Sequence, residues 1–390
     1  MAYSELIAFI KRLYGDSEPI PLYRAHATHL AGERINACLA TGVVSSVGPA
    51  VSELESRVAD FVGARHGIAV VNGTNGLHIA LQLLGVQRDE EVITQALTFV
   101  ATANAVSYVG AQPVFVDVDR DTLGLSPDAL ARFLEQQVER REDGCYNRVT
   151  QRRIAACLPM HTFGLPARID VIASLCADWG IPLLEDAAEA LGSRYRNCHV
   201  GTLGQLGVFS FNGNKVVTTG GGGMIVTDDE ALAQRARHLT TTAKVPHAYE
   251  YVHDELGYNL RMPNLNAALG CAQMDVLPEV LTAKRALAAQ YAEFCAAHGL
   301  VMVQEPEGAY ANHWLNAIIL DSPEARDDFL RITHAAGILT RPIWRLMSNL
   351  PLYANCQHDG LTVSRHLAER VVNLPSYVPE GTGVGSLTNN

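Results

Sequence analysis

The sequence predicts an α/β protein, a mostly parallel sheet with helices on both faces followed by a smaller α+β unit. Three observations carry this. Between about residues 66 and 227, short β-branched runs alternate with helical patterns, and such alternation implies right-handed βαβ crossovers and a covered parallel sheet. Past about residue 260 the texture changes to helices around a single strand-like run. The chain has 390 residues, enough for two or three domains at roughly 150 residues each. Its 48% hydrophobic and 18% charged content excludes disorder, collagen and coiled coil as the main architecture.

The elements follow in order. The opening MAYSELIAFIKRLYGDSEPIP holds an apolar stretch too short and too interrupted by charge for a signal peptide or a membrane span. Residues 1–19 are expected to pack near the smaller domain. Ile68–Val71 reads as a strand, NGTNG as a turn, and LHIALQLLGV as a helix with Leu77, Ala80, Leu81 and Leu84 on one face. Next come the strand EVITQ, a helical TFVATANAVSYVG and the strand PVFVDVD. After a polar stretch follow AACLPM, the helix RIDVIASLCADWG and the strand IPLLED. Residues 135–153, dense in charge with little apolar period, read as a surface excursion between two units. EVLTAKRALAAQYAEFCAAHG and ARDDFLRITHAAG read as helices and ANHWLNAIIL as a strand. The expected division is 20–260 for a large domain and 261–380 for a small one. The GTGVGSLTNN tail at 381–390 reads as flexible.

The net charge of −11 argues against a general nucleic-acid or anionic-membrane surface, though not against a small anionic ligand. Eight cysteines are scattered with no C-x-x-C pair, which favours buried reduced thiols over disulfides or a zinc site. His247, His253 and His366 lack metal-ligand spacing, so no metal is expected. The expected location is cytoplasmic.

In an open α/β sheet ligands bind at the carboxyl ends of the strands, and three features fall there. Gly73-Thr74-Asn75-Gly76 joins a strand to a helix. Such a turn can offer backbone N–H groups and a hydroxyl to a phosphate, or it can be an ordinary capped turn. Asp186, in Glu185-Asp186-Ala187-Ala188, is a carboxylate leaving a strand, where helix caps also occur. Lys215 ends the turn NGNK after a short apolar strand and precedes four consecutive glycines, Gly220–Gly223. A lone lysine is usually a solvated charge, but that glycine-lined setting suits close backbone packing. A phosphate cradle, a strand-end Asp and an enclosed Lys are the parts of a pyridoxal phosphate (PLP) site. The amine forms a Schiff base, and the carboxylate keeps the pyridine nitrogen protonated so that the ring can act as an electron sink.

NGTNGLHIALQLLGV, DEEVITQALTFVATANAV, PVFVDVD, MHTFGLPARID, EDAAEALGS, FSFNGNKVVTTGGGGMIVTDD and GYNLRMPNLNAALGCAQ occur in that order between about Ile20 and Pro375. In this the chain resembles the nucleotide-sugar aminotransferases of the DegT/DnrJ/EryC1/StrS family. The resemblance implies PLP-dependent transferase fold type I, with a mostly parallel seven-stranded sheet in a large PLP-binding domain and a smaller C-terminal α+β domain. FNGNK, LTTTAKVPHAYEYVHDE and GILTRPIW look most like enzymes that aminate C4 of UDP-linked 2-acetamido-2,6-dideoxy-hexos-4-uloses in bacillosamine and legionaminic-acid type pathways.

By that resemblance, Lys215 would form the Schiff base and shuttle the proton, and Asp186 would pair with the pyridinium nitrogen. Phe99 would stack on the ring. Gly73, Thr74 and Asn75, largely through backbone N–H groups, and the Ser210 hydroxyl would hold the phosphate. Asn259 would reach that phosphate from the neighbouring subunit, making the active unit a homodimer with shared sites. Arg261 would face the nucleotide or sugar. Glu189 stands where many relatives carry Gln or His, close to the cofactor's phenolic oxygen; a carboxylate there repels the phenolate unless protonated or turned away. The implied reaction moves an amino group from L-glutamate to the 4-keto carbon of a nucleotide sugar.

Two further residues have two readings each. His161 in MHTFG is either a structural histidine or a substrate contact, and Arg341 in LTRPIW is either a substrate contact or a surface charge. Trp314, Trp344 and Tyr353 read as core or rim aromatics rather than a sugar platform. A dehydratase of the same fold carries His in place of the lysine. A non-catalytic binder of PLP or nucleotide sugar needs neither Lys215 nor Asp186. A nicotinamide dehydrogenase lacks its G-x-G-x-x-G signature here.

Overall fold

The computed structural model describes residues 2–15, 19–26 and 30–380; the tail expected to be flexible, 381–390, lies outside them. Helices α1 (Ala2–Tyr14), α2 (Leu30–Thr41) and α3 (Pro49–Val62) precede the sheet. Then β1 (His66–Val70), α4 (Gly73–Leu83), β2 (Glu91–Gln95), α5 (Val100–Tyr108), β3 (Gln112–Val116), α6 (Pro127–Gln137), β4 (Ile154–Leu158), α7 (Ile169–Trp179) and β5 (Leu184–Asp186) alternate, as the sequence predicts for all of them but α6. Strands β6 (Leu206–Ser210) and β7 (Gly223–Thr227) complete the sheet, and α8 (Glu230–Thr240) follows.

The seven strands run in the order β1-β7-β6-β5-β4-β2-β3, with parallel bridges Cys157–Leu183 and Met160–Asp186 joining its two halves. All neighbours are parallel except β7, which opposes both β1 and β6. The reason is the connection. A glycine-rich turn, with no crossover helix, links β6 to β7, and only a crossover returns a strand in the same direction. A Cβ on Gly223 would stand 2.7 Å from the Asn72 carbonyl carbon and 2.8 Å from Gly73 N. The last glycine of the run therefore lets β7 abut the β1–α4 turn.

Helix α6 was hidden in the stretch read as polar. Ser126 caps it, accepting from Ala129 N, and Pro127 opens it. The charged excursion forms an antiparallel hairpin, Val138–Arg141 against Gly144–Asn147.

Helix α9 (Asn264–Ala297) is longer than the sequence pattern, which begins only after Pro278. Its first half is small and apolar and packs on α2 and α3; burial outweighs the hydrogen bond lost at the proline. Its second half enters the smaller unit, so α9 serves both. There the sheet order is 301–302, 316–319, 371–374, 341–342, all antiparallel. Helices α10 (Pro323–Ala335) and α11 (Thr362–Ala368) accompany it. Helix α1 lays Leu6 and Ile10 into one core with Tyr291, Ile318, Phe329 and Leu374. All eight cysteines are unpaired, and Cys198 is the exposed one. Among the described residues, no helix is long and apolar enough to cross a membrane.

Candidate active site

A cavity of about 350 Å³ opens at the carboxyl ends of β5 and β6, against the N-termini of α4 and α5. Its walls include Asn72, Gly73, Thr74, Phe99, Asp186, Glu189, Ser210, Lys215, Trp314 and Trp344. Each arrives by local logic. Asn72 caps α4 from extended backbone, its side-chain oxygen accepting from Asn75 N at 2.8 Å. The N–H groups of Gly73 and Thr74, first in the helix, have no intrahelical carbonyl to bond and lie at the positive end of its dipole. A Cβ on Gly73 would press to 3.0 Å from Ser210 Cβ, so glycine is what lets the helix start and the end of β6 meet. Phe99 precedes α5, with its ring 48% exposed and 6.1 Å from Trp344.

Asp186 ends β5 and is 2% exposed. One carboxylate oxygen accepts from Thr102 Oγ1 at 2.7 Å and the other from Ala188 N at 3.1 Å. Burial raises its pKa, opposed by those two hydrogen bonds and by the charges of Lys215 and His161. Lys215 Nζ lies 3.2 Å from Glu189 Oε1 and 3.8 Å from the centroid of the Trp314 ring, a cation–π contact. Glu189 Oε2 accepts from Phe163 N at 2.8 Å. Phe163 holds a left-handed backbone (φ 57°) that aims this N–H at the carboxylate. Burial pushes the Glu189 carboxyl up to about 7 against the pull of Lys215. The acid doubtful in sequence is thus turned onto the lysine and poised between protonation states near neutrality.

Several expected site residues lie elsewhere or are already engaged. Asn75 spends its N–H on Asn72, so the N–H groups without an intrahelical partner at this helix start are those of Gly73 and Thr74. Arg261 does not line this cavity. Its Nη2 sits 2.6 Å from Glu55 Oε1 and its Nη1 donates to Ala69 O at 3.0 Å, because Glu55 is a buried carboxylate needing cations. His161 is fully buried and structural: Ala167 N donates to its Nδ1 at 3.1 Å, so its Nε2–H faces Glu185 at 3.0 Å. Arg341 is exposed at the edge of the small sheet and is absent from the cavity wall. Asn259 is exposed on its own chain, bridging to Thr241 away from this cavity.

Other groups at the site escaped sequence reasoning. Thr102 is invisible as a partner of Asp186 because 84 positions separate them. Tyr23 donates to Lys215 O at 2.6 Å across 192 positions. Trp314 and Trp344, read as core or rim, line the cavity, and Trp314 Nε1 donates to Asn214 O at 2.6 Å. Asn72 did carry a signal, a cap-type residue one place before the helix start. Tyr353 is a core residue as expected, 2% exposed, bonding Asn104 at 2.6 Å.

The model of the DegT/DnrJ/EryC1/StrS aminotransferase family matches residues 27–381. The chain is 36% identical over 356 residues to EpsN of Bacillus subtilis (strain 168), covering 89% of each chain. EpsN's own assignment as a PLP-dependent aminotransferase is provisional. This chain is 33% identical over 359 residues to GDP-perosamine synthase of Escherichia coli O157:H7, covering 92% of this chain and 93% of that one. Among solved structures, DesI in the presence of its TDP-sugar product superposes with a TM-score of 0.82 at 30% identity, covering 96% of this chain and 92% of that one.

Proposed function

The chain belongs to the DegT/DnrJ/EryC1/StrS aminotransferase family, and from that premise we propose that it moves an amino group from L-glutamate onto the C4 ketone of a nucleotide-linked 4-keto-6-deoxy sugar. It is a PLP-dependent sugar aminotransferase. The observation that carries the proposal is the convergence of Lys215, Asp186 and a capped helix N-terminus on one cavity.

The residues fit the cofactor. The cavity holds a buried carboxylate with spare acceptor capacity, an amine beside it, and a helix start whose glycine keeps the approach to Ser210 clear. When bound, PLP supplies an electron sink for breaking and making bonds at the amine-bearing carbon. Every other role falls to the protein. Asp186 holds a proton on the pyridine nitrogen, and the Thr102 hydroxyl fixes that carboxylate. Lys215 would hold the cofactor through its amine and, once free, would carry the proton to and from the substrate carbon. Gly73 and Thr74 N–H groups and the Ser210 hydroxyl hold the phosphate, and Phe99 covers the ring. Glu189 gives the freed amine a nearby partner. Asn259, exposed in this chain, is offered to the phosphate of a second copy, so the active unit is a homodimer. Arg341 remains available to substrate from the small sheet. A biosynthetic enzyme using nucleotide sugars belongs in the cytoplasm.

The motifs FNGNK and GILTRPIW favour UDP-2-acetamido-2,6-dideoxy-hexos-4-ulose as the acceptor, in the synthesis of a surface glycan. A second reading, a GDP- or TDP-linked keto sugar, is favoured by the likeness to GDP-perosamine synthase and to DesI. Incubating the PLP-loaded protein with glutamate and each of the three nucleotide-linked 4-keto sugars, with mass spectrometry of the products, separates them. Amination of the UDP sugar alone is expected. Amination of the GDP or TDP sugar moves the assignment to that nucleotide, and amination of none of them contradicts the proposal.

A further inference from the structure

Lys284 lies in the second half of α9 and is 1% exposed. No carboxylate answers it among its described partners. Its Nζ donates to the carbonyl oxygens of Trp314 at 3.2 Å and Ser376 at 2.5 Å, and it stands 5.3 Å from the centre of the Tyr23 ring. Burial alone pushes its pKa down to about 7. Such a group is costly, and an apolar chain of the same length would fill the space without that cost.

What the ammonium does is fix two main-chain segments behind the active-site wall. Trp314 is one of them, and its ring packs on Lys215 Nζ at 3.8 Å while its Nε1 donates to Asn214 O. Tyr23, the aromatic beside Lys284, donates to the Lys215 carbonyl at 2.6 Å. Two paths thus lead from Lys284 to Lys215, one to its side chain and one to its main chain. We infer that Lys284 is a positioning residue for the Lys215 amine, acting through Trp314 and Tyr23. The effect on cofactor and turnover rests on the aminotransferase reading above; the effect on the Lys215 amine itself does not.

The test is Lys284→Met with Lys284→Arg alongside, each checked for folding by far-ultraviolet circular dichroism. In cofactor-free protein, the rate at which an amine-reactive reagent labels Lys215, mapped by peptide mass, should change several-fold in K284M and return toward wild type in K284R. In PLP-loaded protein, visible circular dichroism of the bound cofactor should weaken in K284M. Its kcat should fall by up to about 100-fold, as small misplacements can cost, while KM for glutamate holds. Unchanged Lys215 labelling and unchanged cofactor dichroism in folded K284M would overturn the inference. If K284M does not fold, Trp314→Phe and Tyr23→Phe take its place, and wild-type labelling in both overturns it. A wild-type protein that takes up no PLP would defeat the cofactor reading, and the labelling rates would still decide this one.

Discussion

Glu185 and Asp186 are consecutive on β5, both buried, and the alternation of a strand sends them to opposite sides of the sheet. Glu185 accepts from Gly201 N, Leu203 N and Gly204 N at 2.7 Å each, and lies 3.0 Å from His161 Nε2. Among the described residues the Asp186 carboxylate accepts from Thr102 and Ala188 alone, and it looks into the cavity. The same contrast separates two ion pairs. Glu55 is saturated by Ala69 N, Arg237 and Arg261, whereas Glu189 has Phe163 N and the cavity-facing Lys215. A buried acid whose acceptors are filled belongs to the frame. One left short, beside a cavity, is available to a ligand.

The contrast is sharpest in paired substitutions. Asp186→Asn should lower turnover by about 100- to 1000-fold, the range for a lost electrostatic stabiliser, while the melting temperature holds. Glu185→Gln should do the reverse, costing about 2–4 kcal/mol in urea unfolding with turnover per folded molecule near wild type. Inactive but fully stable E185Q would break the distinction. Arg261→Met comes next, with a loss of about 3 kcal/mol in stability from stranding part of the Glu55 charge and no change in KM for the nucleotide sugar. A raised KM would return Arg261 to the site.

Glu189→Gln tests the unsaturated pair through pH. Because burial raises the folded-state pKa to about 7, the folded protein holds this proton more tightly than the unfolded chain, where it leaves near about 4.3. The stability Glu189 contributes is therefore full below the unfolded value and lost as pH rises through about 7. Wild-type melting temperature in cofactor-free protein should fall relative to E189Q between about pH 5 and 8, and the opposite trend would contradict the assignment. The smallest effect is that of Asn72→Ala. Losing the α4 cap should cost about 1 kcal/mol and weaken PLP uptake without touching Lys215 chemistry, as thermal melts and PLP titration would read.

Lys215 and Asp186 could be picked out of the sequence because each follows or ends a strand, and in an α/β sheet those ends converge, whereas Ser210 and Phe99 came from the family resemblance alone. The partners of Arg261 and His161 were not legible for the complementary reason. A charged or titratable side chain is named by its own position, but its partner decides its work, and Glu55 and Glu185 lie 206 and 24 positions away. Trp314 and Trp344 reach the cavity, and Tyr23 the Lys215 carbonyl, only because the smaller unit and the N-terminal segment fold over this end of the sheet, long-range contacts that leave no local period. The antiparallel β7 escaped the βαβ pattern because a glycine turn stands where a crossover helix would be.

We propose that Lys215 and Asp186 serve bound PLP in amino transfer. An absorbance spectrum of the PLP-reconstituted protein, before and after L-glutamate, with Lys215→Ala alongside, tests it most directly. A yellow cofactor band that glutamate shifts to the pyridoxamine form, and that K215A lacks, is the expected result. No band in wild type, or the same band in K215A, would contradict it.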